Sequence, residues 1–225
     1  MDIYKAHEIF QIEILDKMNS ARALDPLVFG GGTMLRLCHE LNRYSVDLDF
    51  WFVKKTSQQK YFESLRKALE KDYEIMDAER KRFTLLYELR SPEYPKRLKI
   101  EIRRVLQDCD YQNKIAFSSF STRQVLVRAH TLEQTMKYKL QAFMDRGEIR
   151  DCFDIEFLAR RGVDLFISSR AEAEQLKRKV ERLKDIDFRV KLGSTLEKEF
   201  REYFIKNKFS FLEENLSAII SQYRE

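Results

Sequence analysis

Proline and glycine are scarce in this chain, three and six residues among 225, which excludes collagen-like or low-complexity segments and leaves no flexible linker. Cysteine is scarce too. Cys38, Cys109 and Cys152 lie far apart, show no Cys-x-x-Cys spacing and cannot all pair with one another, so reduced thiols in a cytoplasmic protein are expected. His7, His39 and His130 are too scattered for a zinc site. No run of about 18 apolar residues occurs, and the opening segment MDIYKAHEIFQIEIL carries charges throughout, so neither a membrane span nor a signal peptide is expected. An excess of one charge is also missing. The 42 basic and 37 acidic residues balance to +5, too little for a nucleic-acid-coating tail, so a local basic face would matter more than the total.

Half of the few glycines stand together as Gly30-Gly31-Gly32. Leu27-Val28-Phe29 before them reads as a short buried strand, and Thr33 to Leu41 after them as a helix. Strand, glycine turn and helix N-terminus together make an anion site, with backbone N–H groups and a hydroxyl presented at the loop. Soon afterwards comes Ser45-Val46-Asp47-Leu48-Asp49-Phe50. On a strand Asp47 and Asp49 share one face while Val46, Leu48 and Phe50 share the other. Two carboxylates about 5 Å apart repel by about 3 kcal/mol at an effective dielectric of 20, and one or two Mg²⁺ ions would reverse that cost. Glu101, in Arg97-Leu98-Lys99-Ile100-Glu101-Ile102, alternates against apolar neighbours and would add a third carboxylate from a nearby strand. A phosphate loop beside paired carboxylates is the equipment of nucleotidyl transfer, in which metal ions neutralise the charge developing at an attacked phosphate.

The spacing of apolar residues predicts a helix over 4–20, strands over 27–29 and 47–53, and a basic amphipathic helix over 58–69. It places further strands at 82–89 and 97–105, joined past Pro92 and Pro95, and a last clear strand at Val125-Leu126-Val127. Beyond His130 nearly everything has helical spacing. Thr131 with Gln134 resembles a capping box, and a highly charged helix follows over 171–185. Two domains are expected, an α/β part over 1–128 and a helical part over 129–225. The aromatic residues Phe200, Tyr203, Phe204, Phe209 and Phe211 at helical spacing read as core in preference to a base-stacking surface.

Four segments in this order resemble the AbiEii/AbiGii toxin family, a branch of the DNA polymerase β-type nucleotidyltransferase superfamily. They are FGGGTMLRL, RYSVDLDF, KYKLQAFMDRGEIR and RDCFDIEFL. The resemblance implies an α+β fold: a nucleotidyltransferase-like mixed β-sheet domain flanked by helices, followed by a helical C-terminal domain. It implies Asp47 and Asp49 as metal ligands with Glu101 as a softer third, and Gly31, Gly32, Thr33 and Ser45 as phosphate or nucleotide contacts. Lys139 would neutralise triphosphate charge, Arg146 would contribute to nucleotide binding, and Asp151 or Asp154 would position Lys139, Arg146 or the attacking group. Many members carry a lysine where Gly30 stands, which leaves the triphosphate here with one cation fewer. The implied reaction is Mg²⁺-dependent transfer of a nucleotide from an NTP to an acceptor, tRNA or a protein, by a toxin with a separately encoded antitoxin. Two other readings use the same residues: phosphotransfer from the γ position, and a non-catalytic RNA- or antitoxin-binding module that retains a degenerate pocket.

Overall fold

In the computed structural model residues 2–106 and 108–223 are described, and the chain divides into two compact units, Met1–Thr131 and Leu132–Glu225. Unit 1 is a seven-stranded mixed sheet in the order β3-β4-β5-β2-β1-β7-β6. Its elements are α1 (Ile3–Ser20), β1 (Leu27–Gly30), α2 (Gly31–His39), β2 (Asp47–Phe52), α3 (Gln58–Leu69), β3 (Glu74–Arg80), β4 (Thr84–Arg90), β5 (Leu98–Arg103), β6 (Tyr111–Phe117) and β7 (Gln124–His130). The most apolar short runs take the middle of the sheet. β1 pairs antiparallel with β2 and parallel with β7, and β2 pairs parallel with β5.

Alternation in the central strands sets which face is core. Leu48, Phe50 and Phe52 of β2 and Leu98, Ile100 and Ile102 of β5 are buried on one side, while Asp47, Asp49, Lys99 and Glu101 emerge half-buried on the other. Helix α3 covers the apolar side through Tyr61, Phe62, Leu65 and Leu69, spaced along one helical stripe. Phe62 stacks on Tyr87 of β4 at 5.0 Å between ring centroids, and Tyr61 meets Phe52 edge-on at 5.1 Å. Helix α1 contributes Phe10, Ile12, Ile14 and Leu15, all fully buried.

The two strands that the sequence pattern does not announce, β3 and β6, are the two edges of the sheet. EIMDAER and YQNKIAF each bury little, so neither carries the apolar alternation that marks an inner strand.

Unit 2 is helical: α4 (Leu132–Arg146), α5 (Ile149–Arg160), α6 (Arg170–Glu181), a π-helical turn Asp187–Leu192 continuing into a 3₁₀ turn Gly193–Thr195, α7 (Lys198–Asn207) and α8 (Ser210–Gln222). Gly147, at φ +69, lets α4 turn directly into α5, so the two form a tight helical hairpin. Phe153, Phe188, Phe204 and Phe209 form a buried aromatic core, whereas Phe200 and Tyr203 lie exposed. The buried Glu156 carboxylate accepts from Arg160 one turn on and from the Leu212 N–H in the first turn of α8, and burial raises its pKa. Among the described residues no helix is long and apolar enough to cross a membrane.

Candidate functional site

The glycine turn and the carboxylate strand are one piece of structure. Gly30 pairs with Asp49 across the β1–β2 ladder. Gly31 has φ +74, and a Cβ there would stand 2.4 Å from Asp49 Oδ2. Only a residue without a side chain lets the carboxylate of β2 lie against the turn that opens α2. A Cβ on Gly32 would stand 2.5 Å from Arg43 Nη2 and 2.8 Å from Ser45 Oγ, so a guanidinium and a hydroxyl lie directly beneath the same turn. Arg43 is buried, with 4% of its surface exposed. The first turn of α2 thus joins orphan backbone N–H groups to a fixed positive charge, a combination suited to an anion.

Two layers of hydrogen bonds hold this segment in place. The Thr33 hydroxyl donates to the Asp47 carbonyl, which ties α2 to the start of β2. From α1, Gln11 Nε2 donates to the Ser45 carbonyl at 2.9 Å, and His7 Nε2 lies 2.8 Å from the Val46 carbonyl. Burial pushes the His7 imidazole below its ordinary range, so the neutral ring donates one N–H to that carbonyl. The Thr33 side chain is fully buried and its hydroxyl is spent on a backbone carbonyl, which fixes the strand that carries Asp47.

Beside Asp47 and Asp49 runs β5, in parallel register, with Lys99 opposite Asp47 and Glu101 opposite Asp49. All four side chains share the half-buried face. Lys99 Nζ lies 2.7 Å from Glu101 Oε1, and that hydrogen bond, with the Asp47 and Asp49 charges behind it, raises the Lys99 pKa. The donor set is one of hard oxygens, as Mg²⁺ requires, and two carboxylates two residues apart on a strand can address one ion or a pair. Among the described residues no three His, Cys, Asp or Glu side chains gather as a preformed metal cluster. Glu101 is held by Lys99, so the arrangement fits a metal on Asp47 and Asp49 first.

The glycine in place of a lysine at position 30 also has a structural cause. A Cβ there would stand 2.5 Å from His130 Nδ1 and 2.6 Å from the Trp51 ring. Trp51 and His130 meet edge-on at 4.7 Å and occupy the space a side chain would need. Burial lowers the His130 pKa to about 4, so this ring is neutral and does not replace the missing cation.

The remaining expected residues lie in unit 2, where the α4–α5 hairpin brings them together. Lys139 Nζ is 3.1 Å from Asp151 Oδ1 and 2.7 Å from Asp154 Oδ2. Arg146 grips Asp151 with both arms of its fork, Nε at 2.7 Å and Nη2 at 2.9 Å. Asp151 and Asp154 are 1% and 0% exposed, Lys139 12%, and Arg146 60%. Lys139 and Arg146 are seven apart on α4, and Asp151 and Asp154 three apart on α5, so each pair shares a helical face.

Sequence reasoning missed Arg43, Trp51 and His130 as parts of the carboxylate neighbourhood. Lys99 carried a signal, since its alternation with Glu101 puts it on the same face. Trp51 shares the face of Asp47 and Asp49 by alternation, whereas only the folded backbone brings Arg43 and His130 to the glycine turn. The three cysteines are free, and burial raises the pKa of each, Cys38 to about 12, so none is a poised thiolate.

Comparison with known proteins places the chain among relatives. The sequence profile of the family described as nucleotidyl transferase AbiEii toxin, type IV TA system, matches residues 13–218. The solved structure of JHP933 from Helicobacter pylori is 22% identical, covering 95% of this chain and 96% of that one, with a TM-score of 0.56. MenT4, a nucleotidyltransferase toxin from Mycobacterium tuberculosis H37Rv, is 16% identical, covering 94% of this chain and 89% of that one, with a TM-score of 0.51. At such identities the two structures speak for the fold. No curated protein matches the chain.

Proposed function

The chain belongs to the AbiEii family of nucleotidyl transferase toxins of type IV toxin–antitoxin systems, and from that premise we propose that it transfers a nucleotide from an NTP to an acceptor hydroxyl at the glycine-turn and carboxylate site of unit 1. One observation supports this reading: the Asp49 carboxylate lies against the place a Cβ on Gly31 would take, so the glycine turn and the carboxylate strand are contiguous.

In this reading Asp47 and Asp49 hold Mg²⁺. The bound metal supplies neutralisation of the charge developing on the attacked phosphate and acidifies the acceptor hydroxyl. The chain's own part is to place the substrate. The N–H groups of the first turn of α2 receive phosphate oxygens, with Arg43 adding fixed charge from beneath the turn and Ser45 a hydroxyl within reach of it. Thr33, Gln11 and His7 keep β2 and its lead-in segment from shifting when the carboxylates take up their ion. For Lys139 and Arg146 we propose the phosphate-neutralising part that the resemblance implies, with Asp151 and Asp154 fixing those two cations on the hairpin. The proposed acceptor is the end of a tRNA, and the proposed partner is a cognate antitoxin, as expected for a toxin of this family.

Incubation of the purified protein with Mg²⁺, each α-labelled NTP and total tRNA, alongside Asp47→Ala, tests this. Label in RNA that depends on Asp47 is the expected result and names the base transferred. Label in protein moves the acceptor, and label carried over only from γ-labelled nucleotide replaces nucleotidyl transfer by phosphotransfer.

A further inference from the structure

Lys99 has no part in the reaction as described so far, yet its ammonium lies among the three carboxylates of the β2–β5 face. Its register partner is Asp47, its hydrogen-bonded partner at 2.7 Å is Glu101, and Glu101 in turn stands opposite Asp49. The backbone of β5 is an inner strand paired on both sides, by β2 and β4, so it cannot yield. The side chain can: it is 42% exposed, and a four-carbon arm swings to solvent without any backbone movement. A divalent ion on Asp47 and Asp49 would repel the ammonium from the face it occupies.

We propose that Lys99 is a displaceable counter-ion, which holds the β2–β5 carboxylates together before metal arrives and, on leaving, releases Glu101 to join Asp47 and Asp49 as a ligand. It rests on the reading of Asp47 and Asp49 as the metal site and adds to it what sets the affinity. Lys99 competes with every incoming cation, so the enzyme takes up its metal less readily than three carboxylates alone would. Glu101 becomes a ligand conditionally, which reconciles its position opposite Asp49 with its present engagement by an ammonium.

The test is Mn²⁺ binding without nucleotide, followed by electron paramagnetic resonance and calorimetry, on wild type, Lys99→Met, Lys99→Arg, Glu101→Gln and Asp47→Ala, with circular dichroism to confirm folding. Removing one positive charge at this range raises divalent affinity by roughly tenfold for Lys99→Met. Lys99→Arg stays close to wild type because the competing charge persists. Glu101→Gln weakens binding several-fold, since it removes a ligand and leaves the ammonium to the two aspartates. Binding that Asp47→Ala abolishes but Lys99→Met leaves unchanged or weakens overturns the counter-ion role while keeping the metal site. Binding that survives Asp47→Ala overturns the metal site itself, and the counter-ion role with it.

Discussion

Two sets of carboxylates in this chain meet opposite fates. On the β2–β5 face of unit 1, Asp47, Asp49 and Glu101 are half-buried beside the Lys99 ammonium. In the α4–α5 hairpin of unit 2, Asp151 and Asp154 are almost wholly buried and matched by Lys139 and Arg146 at hydrogen-bonding distance. Half-burial leaves a carboxylate within reach of an incoming ion. Full burial demands a partner supplied by the fold, since an unmatched buried charge costs several kcal/mol. The first set is therefore built to gain a cation and the second to keep the ones it has. Removing a carboxylate should cost activity in either unit, and stability as well only in unit 2.

The sharpest way to break this contrast is Asp47→Ala. We expect transfer activity to fall on the order of 10³-fold or more while urea unfolding shifts little, because a half-exposed carboxylate among like charges contributes little to folding. A large loss of stability would mean that Asp47 is structural. Asp154→Ala should cost stability as well. It leaves Lys139 buried with one counter-ion fewer, at a cost of about 3–5 kcal/mol, read as a drop in melting temperature. The double variant Lys139→Met with Asp154→Leu should recover much of that loss, and a double-mutant cycle would give the coupling directly.

Acid sharpens the comparison on the unit 1 side. His130 has its pKa lowered to about 4 by burial, so below about 6.5 the unfolded chain binds a proton that the folded chain resists. Stability should be full above pH 6.5 and fall progressively toward pH 4, by at most about 3 kcal/mol, after which this group contributes no further loss. Unfolding at pH 7, 5.5 and 4.5 measures it, and a slope unchanged in His130→Phe would assign the effect elsewhere. A modest effect on folding is expected from Gly31→Ala. Its positive φ costs about 1 kcal/mol, but the new Cβ must displace the Asp49 carboxylate, so metal binding should suffer more than stability does.

The parts legible in the sequence were those where one short-range rule decides. Strict alternation in Asp47–Phe52 fixed which face of β2 is polar, and the run of glycines marked a turn that tolerates no side chain. The helical character of the second part followed from the change to helical spacing after His130, while the α+β class came with the family resemblance. What escaped were the sheet edges, because β3 and β6 bury too little to leave a period. Also missed were contacts made by residues distant along the chain: His130 reaches Gly30 only because β7 runs parallel beside β1. Thr33 was legible as a residue of the loop, but which way its hydroxyl is spent depends on the carbonyl of Asp47.

Trp51, two residues beyond Asp49 on the same strand face, is the only tryptophan in the chain. Its indole is packed against His130 beside the glycine turn, so every photon of tryptophan emission from this protein originates next to the carboxylates. The molecule carries its own fluorophore where it is most useful. A change in emission on adding metal or nucleotide to unlabelled wild-type protein would follow occupancy of the site in real time.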